Sequence, residues 1–325
     1  MASNIPPAAI APPRPRAEPL DGVPDIVIAV LAHNEERRIA ACLASLPLSD
    51  PAIAVHVVVN GSRDRTAAIA RAMGGTSVTV HVWPEGGKSR SWNRFALDTP
   101  VSASQAFIFV DGDAELVPGS IAALAQALAA NPAANAAAGL PCNGRRVAKY
   151  REEQLASHGI FGDLYALSAG FVGRLRASGI RLPGDLVGDD GLIGALAKTD
   201  LGGLDQWREE RVLPCVEAGF LCEPARLTSM PSLINQYRRM INYSVRHFQN
   251  RIITAVLRET GPHGLPRGFA ALYPRWMASF KPRRHVVWWW FDRQALAHMR
   301  SVAVAAAAAI SIPEPNALAV SQSQG

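Results

Sequence analysis

Short apolar runs alternate with polar, helix-patterned stretches along the first 130 residues of the chain. The runs Asp25–Ala32, Val55–Val59, Val78–Trp83 and Ala106–Val110 are rich in β-branched and aromatic residues and short enough to be buried strands. Each is followed by a polar turn. Between them, 36–46 predicts a helix with Ile39, Leu43 and Leu46 on one face. A second helix runs to about Met73, behind a Gly61 turn and with Ser62 or Asp64 as its cap. A glycine turn at Gly86-Gly87 leads into a basic helix start, and Pro118 introduces a helix over 121–130. This β-α-β alternation predicts an α/β fold: a doubly wound, mostly parallel sheet flanked by helices.

The pattern is looser after Asn131. It predicts a strand within 134–140 and a helix over 149–158. A further helix is expected over 164–178, with Gly170 and Gly173 allowing close packing. An acidic loop, 184–191, then precedes a short apolar helix over 192–197. Short strands are expected around Val212 and Leu221, and a long helix over 232–258.

Composition changes this picture at the two ends. Residues 1–24 are dominated by Pro and Ala, which predicts a disordered tail. The net charge of +6 is regional: from Gln236 to Arg300 there are twelve basic and two acidic residues, so that segment carries +10 and the remainder −4. Three parts are therefore expected: the tail 1–24, an α/β domain 25–230, and a basic, mainly helical, aromatic-containing extension 231–325. Within the extension, cations and aromatics interleave over 280–291, a composition suited to an anionic lipid interface. The competing reading has the tryptophans packed on the domain and the arginines solvated. Nucleic acid is not an expected partner, because no recognised binding module accompanies the charge.

Cys42, Cys142, Cys215 and Cys222 form no C-x-x-C pair, which predicts reduced thiols in a cytosolic setting. No basic-then-apolar leader is evident, and the Ala-rich stretch 301–312 is too short to span a bilayer. A cytoplasmic protein is expected, with peripheral contact to the cytoplasmic face of the membrane.

Candidate chemistry gathers at the strand ends, where open α/β sheets place their ligands. Asp111-Gly112-Asp113 closes the fourth strand; Asp-Gly is also a common turn, so both readings stand on those residues alone. Carboxylates there would suit Mg²⁺ or Mn²⁺ bound together with phosphate oxygens. Asp189-Asp190 reads either as a helix cap or as a source of a general base. Lys88, Arg90, Gln236, Arg238 and Arg239 read as solvated helix charges or as phosphate ligands, and His33 and His158 as packing or surface histidines.

Six motifs occur in order: Ala32-His-Asn-Glu35, Asn60-Gly-Ser-Arg-Asp-Arg-Thr66, Gly87-Lys-Ser-Arg-Ser-Trp-Asn93, Asp111-Gly-Asp113, Asp189-Asp190 and Gln236-Tyr-Arg-Arg239. Together they resemble family 2 glycosyltransferases with the GT-A fold, over roughly 25–240. The resemblance implies inverting transfer of a sugar from a nucleoside-diphosphate sugar, of UDP or GDP type, to a carbohydrate or lipid-linked hydroxyl. It implies a divalent metal, Mn²⁺ or Mg²⁺, held by Asp113 and Asp111 at a DxD motif, with Asp111 also facing the ribose. Asp190 matches the catalytic base; Asn34, Glu35, Asn60, Lys88, Arg90, Gln236 and Arg239 match donor-binding positions. Three departures stand out. Leu31 replaces a usual proline, Val59-Asn60 a common Asp-Asp, and Met240 the Trp that follows Gln-x-x-Arg in polysaccharide-forming members. The last of these favours transfer of a single sugar over processive synthesis. Two alternatives are a sugar-1-phosphate nucleotidyltransferase, for which His33-Asn-Glu-Glu36 is the wrong loop chemistry, and a catalytically inactive nucleotide-sugar-binding protein.

Overall fold

The computed structural model describes residues 24–222 and 230–310; the expected tail, apart from Pro24, lies outside them. The chain runs β1 (Ile26–Ala32), α1 (Ile39–Ala44), β2 (Ile53–Asn60), α2 (Thr66–Gly74), β3 (Val78–Trp83), α3 (Lys88–Asn93), β4 (Ala106–Asp111), β5 (Glu115–Leu116) and α4 (Ser120–Ala130). It continues through β6 (Ala136–Pro141), α5 (Val147–Ser157), β7 (Leu164–Ser168), α6 (Ala169–Ser178), α7 (Asp189–Thr199) and β8 (Val212–Leu221). Three further helices follow: α8 (Met230–Glu259), α9 (Tyr273–Met277) and α10 (Val286–Ile310).

The eight strands form one sheet in the order β3-β2-β1-β4-β7-β6-β8-β5. Its first four members are parallel, as the alternating pattern requires. Beyond β4 the sheet turns mixed: β7 is antiparallel to both β4 and β6, β8 is parallel to β6, and the two-residue β5 pairs antiparallel with β8. β1 is buried along its whole length, as expected of a central strand covered on both faces. One apolar layer, with Ile28, Val57, Ile108 and Leu124, lies under α1, α2 and α4. The other, with Trp92, Phe109, Tyr165 and Phe171, lies under α3, α6 and α7.

Three local expectations are corrected. The helix expected over 164–178 is a strand, Leu164–Ser168, that gives way to a helix only at Ala169. A Cβ at Gly173 would meet nothing within 4 Å, and one at Gly170 only the Arg174 guanidinium, so neither glycine serves close packing. The two short strands around Val212 and Leu221 are one ten-residue strand. Asp189 and Asp190 form the first turn of α7, so the acidic loop ends three residues earlier, at Gly188.

The extension shares a core with the sheet. Val245, Phe248, Ile252 and Leu257 of α8, Phe269, Tyr273 and Phe280, and Leu296 and Met299 of α10 lie in the same apolar cluster as Trp92 and Phe109. Asp292 of α10, fully buried, is matched by Arg283, whose guanidinium reaches its carboxylate at 2.6 Å and Ser244 Oγ at 3.1 Å. All four cysteines are free thiols. Among the described residues no helix is long and apolar enough to cross a membrane.

One half-buried pair makes stability pH-dependent. His56 of β2 and His81 of β3 stack with Nδ1 to Nε2 at 3.1 Å, and burial together with the second ring pushes His56 down to about 4. The unfolded chain takes up a proton below about pH 6.5 that folded His56 refuses until about pH 4. Stability is therefore complete above that window and falls as the pH drops through it. The full shift corresponds to about 3 kcal/mol, and partial solvent access reduces this to about 2 kcal/mol. His56→Phe is expected to flatten the fall in unfolding free energy between pH 6.5 and 4, read by urea denaturation; an equally steep fall in parent and variant would contradict it.

Candidate active site

Strand ends build the site. Leu31 of β1 is level with Asp111 of β4, and the turn after β4 folds back on β1 through Gly112 N–H to the Leu31 carbonyl at 2.8 Å. A Cβ at Gly112 would stand 2.8 Å from that of Ala32 and 3.3 Å from Glu35 Cγ, so only glycine lets the two acids leave the sheet here. A cavity of about 360 Å³ opens at this point, lined by His33, Glu35, Asn60, Lys88, Asp111 and Asp113 among others. The five expected donor and metal residues Glu35, Asn60, Lys88, Asp111 and Asp113 thus meet in one place. A larger cavity, about 530 Å³, lies at the opposite strand ends against Asp25, Ile53 and Ile121. Neither the acidic cluster nor Lys88 is there.

A sixth residue at the site escaped the sequence reading. Because β7 runs antiparallel to β4 with Leu164 level with Val110, the residue before β7 stands beside Asp111, and Asp111 N–H donates to the Asp163 carbonyl at 3.1 Å. Carboxylate oxygens of Asp111, Asp113 and Asp163 lie within 4.8 Å of one another. Burial raises Asp111 well above the usual carboxylate range; Lys88 opposes this, and the Asp163 and Asp113 charges add to it. Burial raises Asp163 too, against a hydrogen bond from the Cys222 thiol at 3.0 Å. Three oxygen-donor side chains with surplus negative charge, half out of water, are a fit for a hard divalent cation.

Lys88 is the ammonium that faces this cluster, with Nζ 2.5 Å from Asp111 Oδ1, 3.3 Å from the Gly162 carbonyl and 3.8 Å from Asp189 Oδ1. Burial works against its charge, but Asp111 and Asp189 outweigh burial and hold it above the ordinary lysine range. Its position is fixed one turn further along α3. Trp92, buried, packs beside Phe109 with ring centroids 5.4 Å apart and donates Nε1–H to Tyr165 Oη at 2.8 Å. Residues four apart share a helix face, so the turn that buries Trp92 also turns Lys88 toward the strand ends.

Asp190 borders the same space. A Cβ placed on Gly162 would lie 2.9 Å from Lys88 Nζ, 3.9 Å from Asp190 Cβ and 4.0 Å from Asp111 Oδ2, so all three surround that glycine. Helix α7 is held by Leu192, Ile193, Leu196 and Ala197 in the core, which leaves its first turn at the cleft. The loop before it is tied to the extension. Gln249 of α8 accepts from Val187 N–H at 2.8 Å and donates to the Asp185 carbonyl at 3.0 Å, while the Asp185 carboxylate accepts from Phe269 N–H at 2.8 Å. From the same helix, Arg246 reaches Asp190 Oδ1 at 2.9 Å. Gly188, at φ +79°, makes room for it, since a Cβ there would stand 2.6 Å from the guanidinium.

The remaining expected donor residues are dispersed. Asn34, at φ 57° and exposed, clips two loops together, its N–H donating to Ser62 Oγ and its Oδ1 accepting from Arg63 N–H. Asn60, already in the cavity lining, is the exception: it is buried, with Nδ2 donating to the Ala32 carbonyl at 3.2 Å. Arg90 is exposed, donates to the Gly86 carbonyl, and faces a neighbouring cavity with Arg94, Arg181 and Arg267. Gln236 is half-buried and Arg239 exposed on α8. Among the described contacts neither meets the acidic cluster. Arg239 precedes Arg246 by two helical turns, on the same face and about 10 Å toward the helix start.

Residues 27–176 match the family model described as glycosyl transferase family 2. That segment carries the family's glycosyltransferase domain. The protein is a glycosyltransferase, and the nucleotidyltransferase alternative falls away. A comparison with curated proteins found no match. Among solved structures, this glycosyltransferase is similar to the mannosyltransferase PcManGT from Pyrobaculum calidifontis in complex with GDP-Man and Mn²⁺. The two are 19% identical with a TM-score of 0.54, over 90% of this chain and 77% of that one, which establishes a shared fold. Glucosyl-3-phosphoglycerate synthase from Mycobacterium tuberculosis, in complex with Mn²⁺, UDP-Glc and phosphoglyceric acid, aligns at 20% identity and a TM-score of 0.46, over 65% of this chain and 75% of that one.

Proposed function

We propose that this glycosyltransferase moves a single sugar, with inversion, from a nucleoside-diphosphate sugar of UDP or GDP type to a hydroxyl of a carbohydrate or lipid-linked acceptor. The setting would be glycan, glycolipid or polysaccharide assembly by a cytoplasmic protein in peripheral contact with membrane. The observation that carries the reading is the convergence of the Asp111, Asp113 and Asp163 carboxylates, Lys88 and Asp190 around Gly162.

Asp111, Asp113 and Asp163 would hold Mn²⁺ or Mg²⁺, which when bound supplies positive charge to the leaving diphosphate. Lys88 adds a second cation at the same place. Asp111 would face the ribose, with Glu35 and Asn60 lining the nucleotide side of the cavity and Asn34 holding its loop. Arg90, Gln236 and Arg239 would complete the proposed donor set. Asp190 takes the proton of the acceptor hydroxyl as its oxygen bonds to the anomeric carbon and the diphosphate leaves with its electron pair. One displacement of this kind inverts the carbon.

The test is a panel of UDP- and GDP-sugars with and without Mn²⁺, GDP-mannose and UDP-glucose first, reading nucleoside-diphosphate release and product anomer by NMR. Metal-dependent turnover with inversion is expected. Turnover indifferent to chelation, or retention at the anomeric carbon, would contradict the proposal.

A further inference from the structure

Helix α8 carries one apolar stripe that is covered for only part of its length. Tyr237, Ile241, Val245, Phe248 and Ile252 recur at spacings of three and four, so they lie along one face. From Val245 onward that face is in the core, with Val245, Phe248 and Ile252 buried. Toward the helix start it emerges: Leu233, Ile234 and Tyr237 are each more than 40% exposed. A globular core does not need these residues, since they lie beyond its edge.

The start of α10 meets them. The Tyr237 and Phe291 rings are 5.5 Å apart, which joins the two uncovered segments into one surface. On α10, Asp292, Ala295, Leu296 and Met299 face the core. Val286 and Trp290 lie on the opposite side of the helix, and they are 82% and 51% exposed, with Val287 at 49%. Arg293 stacks over the neighbouring Trp289 ring at 4.7 Å. Arg238, Lys281 and Arg284 are exposed around the patch, within a segment of charge +10. Contiguous apolar surface of this extent marks an interaction site.

We propose that Leu233, Ile234 and Tyr237 of α8 with Val286, Val287 and Trp290 of α10 form a docking surface for an anionic lipid bilayer. Trp and Tyr settle at the headgroup level with the aliphatic side chains just below it, and flanking Arg and Lys meet the lipid phosphates. No spanning helix is required. Arg246, the partner of Asp190, is nine residues beyond Tyr237 on α8, so the site lies about 13 Å along the helix from the patch. On the glycosyl-transfer reading, that distance suits an acceptor whose polar head projects from the membrane.

The experiment is flotation of the full chain with vesicles of phosphatidylcholine alone and of phosphatidylcholine mixed with phosphatidylglycerol. Flotation with the mixed vesicles only is expected. The bound fraction should fall roughly tenfold or more in Ile234→Glu/Trp290→Glu, and also in Lys281→Glu/Arg284→Glu at low salt. No flotation of the parent chain, or equal flotation of parent and both variants, overturns the inference. A patch-dependent dimer in light scattering without flotation also overturns it, by giving the face to a second copy. Calorimetric binding of UDP and GDP with Mn²⁺ on the same preparations separates the two readings. Nucleotide binding without flotation removes only the membrane surface; flotation without nucleotide binding upholds that surface and removes the donor site.

Discussion

Asp190→Asn is expected to lower kcat on the order of 10²–10⁴-fold while nucleoside-diphosphate binding in the presence of Mn²⁺ stays nearly unchanged, because a positioned base acts on the acceptor and not on the donor. The variant keeps the shape of the side chain, and its amide oxygen still accepts from Arg246, so α7 should remain docked. Arg246→Ala separates chemistry from placement. Among the described contacts Arg246 meets the Asp190 carboxylate and the backbone at Gly188 and Gly191, so its loss should leave a base that is present but mobile, with a smaller fall in kcat. Arg246→Lys should recover part of that loss. Steady-state kinetics with a fixed donor, together with calorimetry of donor binding, read both effects. A kcat for Asp190→Asn within about tenfold of the parent would remove Asp190 from the role of base.

The halves of this site differed in how visible they were in the sequence. The four parallel strands were legible because each is an apolar run closed by a polar turn, and the acids after β4 stand where such a sheet ends. β7 was not legible. Leu164-Tyr-Ala-Leu-Ser168 passes into Ala169 without a glycine or proline between them, and a short apolar run has no period that separates a buried strand from a buried helix. Asp163 was lost with it, since its place beside Asp111 follows from antiparallel pairing alone. Arg246 was hidden for another reason. It is one of twelve cations in a basic segment, and nothing local to α8 says that it meets α7. The same segment looked like a separate charged extension because its arginines dominate the composition, whereas Phe248, Ile252 and Met299 decide its packing. The aromatic run reads as lipid-facing or as packed on the domain, and the structure divides it: Phe280 is buried against Phe248 and Phe291 packs on Tyr237, while Trp289 and Trp290 stay exposed.

Asp113→Ala and Asp163→Ala are both expected to weaken Mn²⁺ binding, and comparing them tests whether the third carboxylate is a ligand or a bystander. Loss of a group that merely orients a ligand costs roughly 10–100-fold in metal affinity, so loss of a ligand should cost at least that. If Asp163 ligates, its variant should match Asp113→Ala. If it only holds Asp111 by repulsion and by the Cys222 contact, the loss should be distinctly smaller, and Cys222→Ser should reproduce part of it. Lys88→Met sharpens the comparison. The ammonium at 2.5 Å from Asp111 competes with any added cation, so its removal should tighten binding of Mn²⁺ alone while weakening binding of the nucleoside diphosphate. The pH dependence has a fixed sign. Burial holds Asp111 and Asp163 above the usual carboxylate range, so protons compete for the site at a higher pH than at an exposed carboxylate cluster. Mn²⁺ affinity should fall as the pH drops through those raised values, and Asp163→Asn should move the fall by removing one titrating group. Titration of free Mn²⁺ by electron paramagnetic resonance reads affinity without any sugar transfer. Equal affinity in the parent, Asp113→Ala and Asp163→Ala would place the metal elsewhere and leave the three acids without the role given to them.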